Sequence, residues 1–335
     1  MTNTKTYNDY LERLNALREK MLGIKRNSTE EEQKNQTEYA IAFRDMLHTG
    51  MPQNTIKIGS DGSGGFLVPD TLEEKLVEGL TRENLLRRLG TVIKTNRTIK
   101  IPMAAEEGSA SWMPEGEKAD FSDTTFGEIV LDAYKLAYRV LVSDELLEDA
   151  DFDVEDFIHQ LFVYAVSRAE RTAFFTGDGN GKPLGIIHQA EVGKVIDNAS
   201  NISFDDIIDL IFSLKEPYRE NAVFIISEDA AVMLKKLLLY EGNLAWRPSL
   251  NEEKSATLLG YPVYIANEMP DMSAGNKPIL FGDFSYFWIG ERGKRSVKRL
   301  VERYADHGQV AYITSERIDA KLVLPEAVKC LEVKA

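Results

Sequence analysis

Between Asp151 and Gly177 apolar residues recur at helical spacing without a break. Val154, Phe157, Ile158, Leu161, Ala165 and Ala169 fall at i, i+3, i+4 intervals, while Glu155, Asp156, His159, Arg168, Glu170 and Arg171 share the other side. This predicts one long helix with a packed stripe and a wet stripe. Asp153, Glu155 and Asp156 bring negative charge to its first turn, where unpaired N–H groups and the positive dipole end favour it. At ~1.5 Å per residue the helix is a strut of roughly 34 Å, about twice the usual length. GDGNGKPLG follows, and its glycines end the helix and turn the chain.

The pattern upstream is thinner. Tyr7, Tyr10, Leu14, Leu17 and Met21 keep a 3-4 spacing up to Gly23, and a second helix is expected from Ser28, with Glu31 completing a capping box, to near Gly50 and Pro52. It would bury Tyr39, Ala40, Phe43 and Leu47. Two narrow apolar faces make no core, so residues 1–57 are either a fraying tail or a segment that finds partners in other copies. IGSDGSGGF (58–66) reads as a linker and is the clearest boundary in the chain, followed by a helix over roughly 70–80. From Ile99 to Val142 both ends alternate as strands, with Phe126, Ile129, Leu131, Tyr134 and Leu136 on the return, around the polar stretch AAEEGSASWMPEGEKADFSD. A long hairpin is predicted, with Trp112 and Met113 near its tip. It either folds back on its own domain or needs a partner surface.

After the strut, Ser203 caps a helix over Phe204–Leu214, AVFIIS (222–227) is a buried strand and Glu228–Tyr240 a helix. YPVYIA (261–266) and ILFGDF (279–284) are further strands. This alternation is α/β. Residues 294–324 return to long alternating strands and LVLPEAVKCLEV closes the chain as an apolar strand, so the whole is α+β with an α/β insertion.

Composition narrows the function. The chain has 335 residues, 43% hydrophobic and 28% charged, which is globular. A net charge of −14 argues against wrapping nucleic acid by counterion displacement and suits solubility at high concentration. One cysteine, Cys330, excludes a disulfide framework and reads as a buried inert thiol. The start of the chain shows no signal peptide, and no stretch approaches ~18 uncharged apolar residues, so a cytosolic protein with no membrane span is expected.

Catalytic motifs fail one by one. A phosphate loop would need Gly where Thr176 stands and Ser or Thr where Pro183 stands. Asp149, Asp151 and Asp153 mimic a calcium loop, but Val154 and Gln160 occupy its glycine and glutamate positions. His48, His159, His188 and His307 are scattered, with no HExxH, and there is no GxSxG. No enzyme, cofactor or metal is expected. Arg292, Lys294, Arg295, Lys298, Arg299 and Arg303 form the one basic run, either a solvated strand face or a patch meeting acidic residues such as Glu115 and Glu117 of another copy.

Several blocks resemble, in order, the major capsid proteins of tailed phages, the Hong Kong 97 fold family: GGFLVPDTLEEKLVE, WMPEGEKADFSDTTFGEI, YKLAYRVLVSDELLED, AERTAFFTGDGNGKPLGI, LLGYPVYIANEMP, ILFGDFSYFWI and LVLPEAVKCL. The resemblance covers roughly residues 58–335. It implies a short delta-like scaffolding leader over 1–57, an N-arm and the start of the peripheral domain over 58–98, and an extended loop over 99–140. The peripheral domain with its spine helix would take 141–185 and 293–321, and an axial domain 186–292 and 322–335. The implied function is a virion shell of hexamers and pentamers around double-stranded DNA, assembled in the host cytoplasm. A maturation protease and a portal protein would be partners. Trp112, Met113, Glu115, Glu117, Lys118, Arg295, Lys298 and Arg299 are the candidate contacts between subunits. In some members a lysine of the extended loop is joined to an asparagine of a neighbour's peripheral domain. Lys118 matches the lysine in position, but no asparagine follows Asn276. An encapsulin-type compartment shell is the alternative, and the leader weighs against it. A nucleotide-binding enzyme would need the phosphate loop that is missing.

Overall fold

A computed structural model describes residues 66–67, 70–104, 126–145, 154–198, 202–240, 246–247 and 256–335. The expected leader helices and hairpin tip lie outside them. In chain order the elements are β1 (Phe66–Leu67), α1 (Asp70–Glu83), α2 (Leu85–Leu89), β2 (Thr91–Thr95), β3 (Ile99–Ala104), β4 (Phe126–Leu131), β5 (Tyr134–Ser143) and α3 (Val154–Thr176). There follow α4 (Ile186–Gln189), β6 (Glu191–Ile196), α5 (Phe204–Ser213), α6 (Glu216–Arg219), β7 (Val223–Ile226), α7 (Glu228–Tyr240), β8 (Trp246–Arg247), β9 (Ala256–Leu258), β10 (Tyr261–Ile265) and β11 (Ile279–Gly282). The chain ends with β12 (Phe287–Arg292), β13 (Ser296–Leu300), β14 (Gln309–Leu322) and β15 (Val328–Val333).

Two sheets carry the fold. One has six strands in the order β1-β13-β14-β12-β2, with β5 on the other side of β14; the second has seven, β6-β15-β11-β7-β10-β9-β8. The 14-residue β14 organises the first. It pairs with β5 from Gln309 to Ile318 and, along its other edge, with β13 and then β12. The half-buried positions of β5 alternate with exposed ones, as a strand with one covered face requires. Its covering is the 23-residue α3, whose Ile158, Phe162 and Val166 pack with Leu76 and Leu80 of α1 and Val310 and Tyr312 of β14. Gly79 lets α1 approach closely, since a Cβ there would lie 3.0 Å from a methyl of Val163.

The second sheet is covered by α5 and α7, with Ile207, Leu210, Ala230 and Leu234 set against Phe224 and Phe281. Helix α5 begins with a full capping box, the Ser203 hydroxyl accepting from the Asp206 N–H and the Asp206 carboxylate accepting from the Ser203 N–H at 2.9 Å. A third cluster joins the sheets, running from Phe174, Phe175 and Ile186 to Leu280, Phe287, Ile289 and Cys330.

Three expectations change. The packed face of α3 is wider than one stripe. Phe162, Val163, Val166, Phe174 and Phe175 are buried, Ala165 and Ala169 are half-covered, and Glu170 from the expected wet side is fully enclosed. Helix α3 meets α1 and α2 on one flank and β5 and β14 on the other, so the buried arc exceeds what spacing alone indicates. Second, the return of the hairpin breaks at Asp132 and Ala133. β4 pairs with β3, whereas β5 crosses to β14, and the buried Asp319 carboxylate accepts the Asp132 N–H at 2.8 Å to hold the corner. Third, Phe287–Arg292, grouped by sequence with the α/β insertion, pairs in register with β2 and β14 of the six-stranded sheet.

Candidate functional site

Sequence reasoning missed a set of charges in the interior. Asn84 caps α2 by accepting from the Leu86 N–H at 3.1 Å, which points the following turn into the protein. Arg87 then reaches inward. Its Nε donates to Glu170 Oε2 at 2.7 Å, one terminal nitrogen donates to Glu170 Oε1, and the other to Glu291 Oε1 at 2.6 Å. Arg295, on the turn after β12, donates to the same Glu291 oxygen at 2.7 Å and to Glu316 Oε2 of β14 at 2.8 Å. All five residues are buried.

Two guanidinium groups thus face three carboxyl groups. Burial alone would raise Glu291, but Arg87 and Arg295 outweigh it and hold this carboxylate down at about 2. Glu316 goes the other way. Burial first, and the neighbouring Glu170 second, push it up to about 8 against the pull of Arg295 and Arg87. A proton on Glu316 would balance the two arginines against Glu170 and Glu291. A signal for Glu170 existed: Ile158, Phe162, Val166, Glu170 and Phe174 are successive i+4 positions, so the glutamate stands in the most buried row of the helix.

The predicted contact residues divide. Trp112, Met113, Glu115, Glu117 and Lys118 lie outside the described residues. The β3–β4 ladder that carries them runs from Ile99 opposite Leu131 to Ala104 opposite Phe126. Arg295 is withdrawn from any outer surface by its two internal ion pairs. Lys298 and Arg299 remain half-exposed on β13, with Arg299 Nε 3.3 Å from the Tyr312 hydroxyl. Arg292 is held by Asp132 at 3.2 Å and Thr98 at 2.9 Å. The basic run is therefore not one solvated face. Apolar side chains stand out elsewhere: Tyr164 on α3 is 64% exposed and Phe212 on α5 68%, with Val192 and Val195 along edge strand β6. A groove of about 370 Å³ follows the outer side of α3 between Arg168 and Lys182, floored by Ala165, Ala169, Thr172 and Ala173.

The glycine turn after α3 is occupied by its own chain. Asp178 accepts the Asn180 N–H at 3.0 Å and pairs with Lys182 at 3.6 Å, and the first of these holds its carboxyl below the usual range. The Asp178 carboxylate thus already takes one N–H of this turn. Burial pushes the Cys330 thiol up to about 11. Among the described residues no cluster of three or more His, Cys, Asp or Glu could hold a metal, and no helix is long and apolar enough to cross a membrane.

Two sheets joined by a long helix, with a separate two-stranded ladder of β3 and β4, make the α+β architecture that the comparisons recognise. The Phage capsid family model matches residues 64–333, so the chain belongs to that family. It is 28% identical over 251 residues to the major capsid protein of Klebsiella oxytoca phage phiKO2, across 70% of this chain and 58% of that one. It is 30% identical over 138 residues to the major capsid protein of Escherichia phage T5, across 38% of this chain and 28% of that protein. The chain thus spans little more than half the first relative and under a third of the second. Among solved structures the capsid of a native GTA particle superposes with a TM-score of 0.66 at 27% identity, covering 75% of this chain and 90% of that chain. The holo-SrpI encapsulin of Synechococcus elongatus PCC 7942 superposes at 0.56 with 13% identity, covering 74% of this chain and 86% of that one, a likeness of fold alone. The fold is the Hong Kong 97-like α+β capsid fold.

Proposed function

We propose that this chain is a major capsid protein that assembles through hexamers and pentamers into an icosahedral shell around double-stranded DNA. The observation that carries the reading is the family match over residues 64–333, which takes in both sheets, α3 and the β3–β4 ladder. In this reading residues 1–57 are a delta-like scaffolding leader removed by a maturation protease, 58–98 the N-arm and 99–140 the extended loop. The peripheral domain is built on 141–185 and 293–321 with β12 added to it, and the axial domain on the remainder of 186–292 with 322–335. The hairpin tip with Trp112, Met113, Glu115, Glu117 and Lys118 meets neighbouring copies, as do Lys298 and Arg299. A portal protein completes the shell, DNA is enclosed without sequence-specific binding, and the chain performs no catalysis. Assembly is in the host cytoplasm and the product is the virion capsid. Exposed Tyr164 on α3, Phe212 on α5 and Val192 and Val195 on β6 offer apolar contact points for such association.

Electron microscopy and sedimentation of the full chain expressed by itself test this. Closed shells or five- and six-membered rings are expected, and a compact monomer across salt and protein concentration would overturn the reading.

A further inference from the structure

We propose that the cluster of Arg87, Glu170, Glu291, Arg295 and Glu316 is a proton-gated clasp between α3 and β14, closed while the Glu316 carboxyl carries a proton and loosened when it does not. The inference concerns one chain and goes beyond shell formation.

The bonding pattern supports it. Glu170 uses both oxygens on Arg87, and Glu291 receives both arginines on one oxygen. Glu316 spends only Oε2, on Arg295, and its Oε1 is buried without a partner of regular hydrogen-bond geometry. An ionised carboxylate left with a bare oxygen in the interior is costly, whereas a carboxylic acid has a hydrogen to share with the neighbouring Glu170 carboxylate. The groups that act on Glu316 are Glu170 from α3, Arg87 from α2 and Arg295 from the β12–β13 turn, with Glu291 of β12 behind the arginines. β5 sets the uncharged Leu136 opposite it, and Ser296 of β13 lies beside the preceding Ser315. Loss of the proton therefore leaves three negative charges against two positive ones, with the excess facing Glu170. The repulsion acts between α3 and β14, where that helix crosses the sheet.

The sign follows from the raised folded value. With a carboxyl released to water by opening near 4.5 and the enclosed one near 8, the closed form binds an extra proton between those limits. Closure thus weakens as pH rises from about 4.5 to 8, about tenfold per unit, and is flat above. Glu291, held near 2, stays ionised through this window and adds no slope.

Hydrogen exchange of peptides from residues 154–176, corrected for intrinsic rate, tests the clasp on the unassembled full chain from pH 5 to 9. The parent should lose protection about tenfold per pH unit up to about pH 8, and Glu316→Gln, which stays neutral and can still accept from Arg295, should be flat. Equal slopes in both would overturn the proposal. If the variant does not fold, infrared titration of the unaltered chain decides. A protonated-carboxyl band present at pH 6 and lost near pH 8 supports the clasp, and absence of that band at pH 6 refutes it.

Discussion

Replacing Arg87 by Leu removes three donated hydrogen bonds and one of the two positive charges that neutralise the buried cluster. Glu170 loses both of its guanidinium bonds, and Glu291 keeps Arg295 alone. With Glu316 protonated, the remaining charge is one positive against two negative, an excess of one in an enclosed site. Breaking a buried pair by removing one partner costs about 3–5 kcal/mol. Glu170→Leu leaves the opposite excess, Arg87 with only Glu291 to share, but it also removes the neighbour that raises Glu316, whose ionisation then offsets part of that excess, so a smaller loss follows. Removing both is different in kind: Glu291, Arg295 and a neutral Glu316 remain and balance to zero. The double variant should therefore be more stable than either single one, and a coupling of about 3 kcal/mol or more should separate the cycle from additivity. Urea denaturation of the unassembled full chain, repeated at several protein concentrations to exclude assembly, reads this as midpoint shifts at constant slope. Losses that add would show that the five residues do not act as one electrostatic unit.

Gly185→Ala should destabilise the chain by about 3 kcal/mol or more, because the new Cβ would sit 2.3 Å from the Phe175 carbonyl oxygen and 2.7 Å from the Gly177 nitrogen, both backbone atoms. The midpoint of denaturation measures it, and a shift under half that size would sink the clash argument. Cys330, fully buried and with its thiol raised to about 11, should resist iodoacetamide at pH 8 in the native chain and react once urea is added. Fast labelling without denaturant would show that β15 opens locally. Particles boiled in detergent should run as single subunits: Asn276 is bonded to Asp271 at 2.6 Å beside the seven-stranded sheet, and no asparagine follows it to accept Lys118. A reductant-resistant ladder of multimers would contradict that.

The elements with their own local signals were legible in the chain. Helix α5 announces itself by Ser203 and Asp206, α3 by its length, and β7 and β11 by short apolar runs. What could not be read was decided between distant segments. Asp132 ends β4 because Asp319, 187 positions away, accepts its N–H. β12 looks like a continuation of the insertion until β2 supplies a parallel neighbour from nearly 200 residues earlier. The ion cluster is the extreme case. Arginine and glutamate in isolation are surface residues by default, and only the convergence of α2, α3, β12 and β14 makes them interior.

That convergence sits close to where the chain changes sheets, and the two features act together. The chain leaves the six-stranded region through the turn after α3, returns between β11 and β12, and leaves again between β14 and β15. Each passage is drawn tight. The Gly185 N–H donates to Gly177 at 2.8 Å, the Asp283 N–H to Ala327 at 3.0 Å, and the Leu322 N–H to the Gln189 side chain at 3.0 Å. A Cβ on Gly282 would lie 2.2 Å from the Ala327 oxygen, so the second and third passages are packed backbone against backbone. With Phe174, Phe287 and Leu280 filling the space between, the sheets have no slack at this end of α3. Displacement of α3 against the six-stranded sheet is therefore easier from its N-terminal side, and Glu170 on Arg87 is a buried charged contact that resists it about two turns before the helix ends.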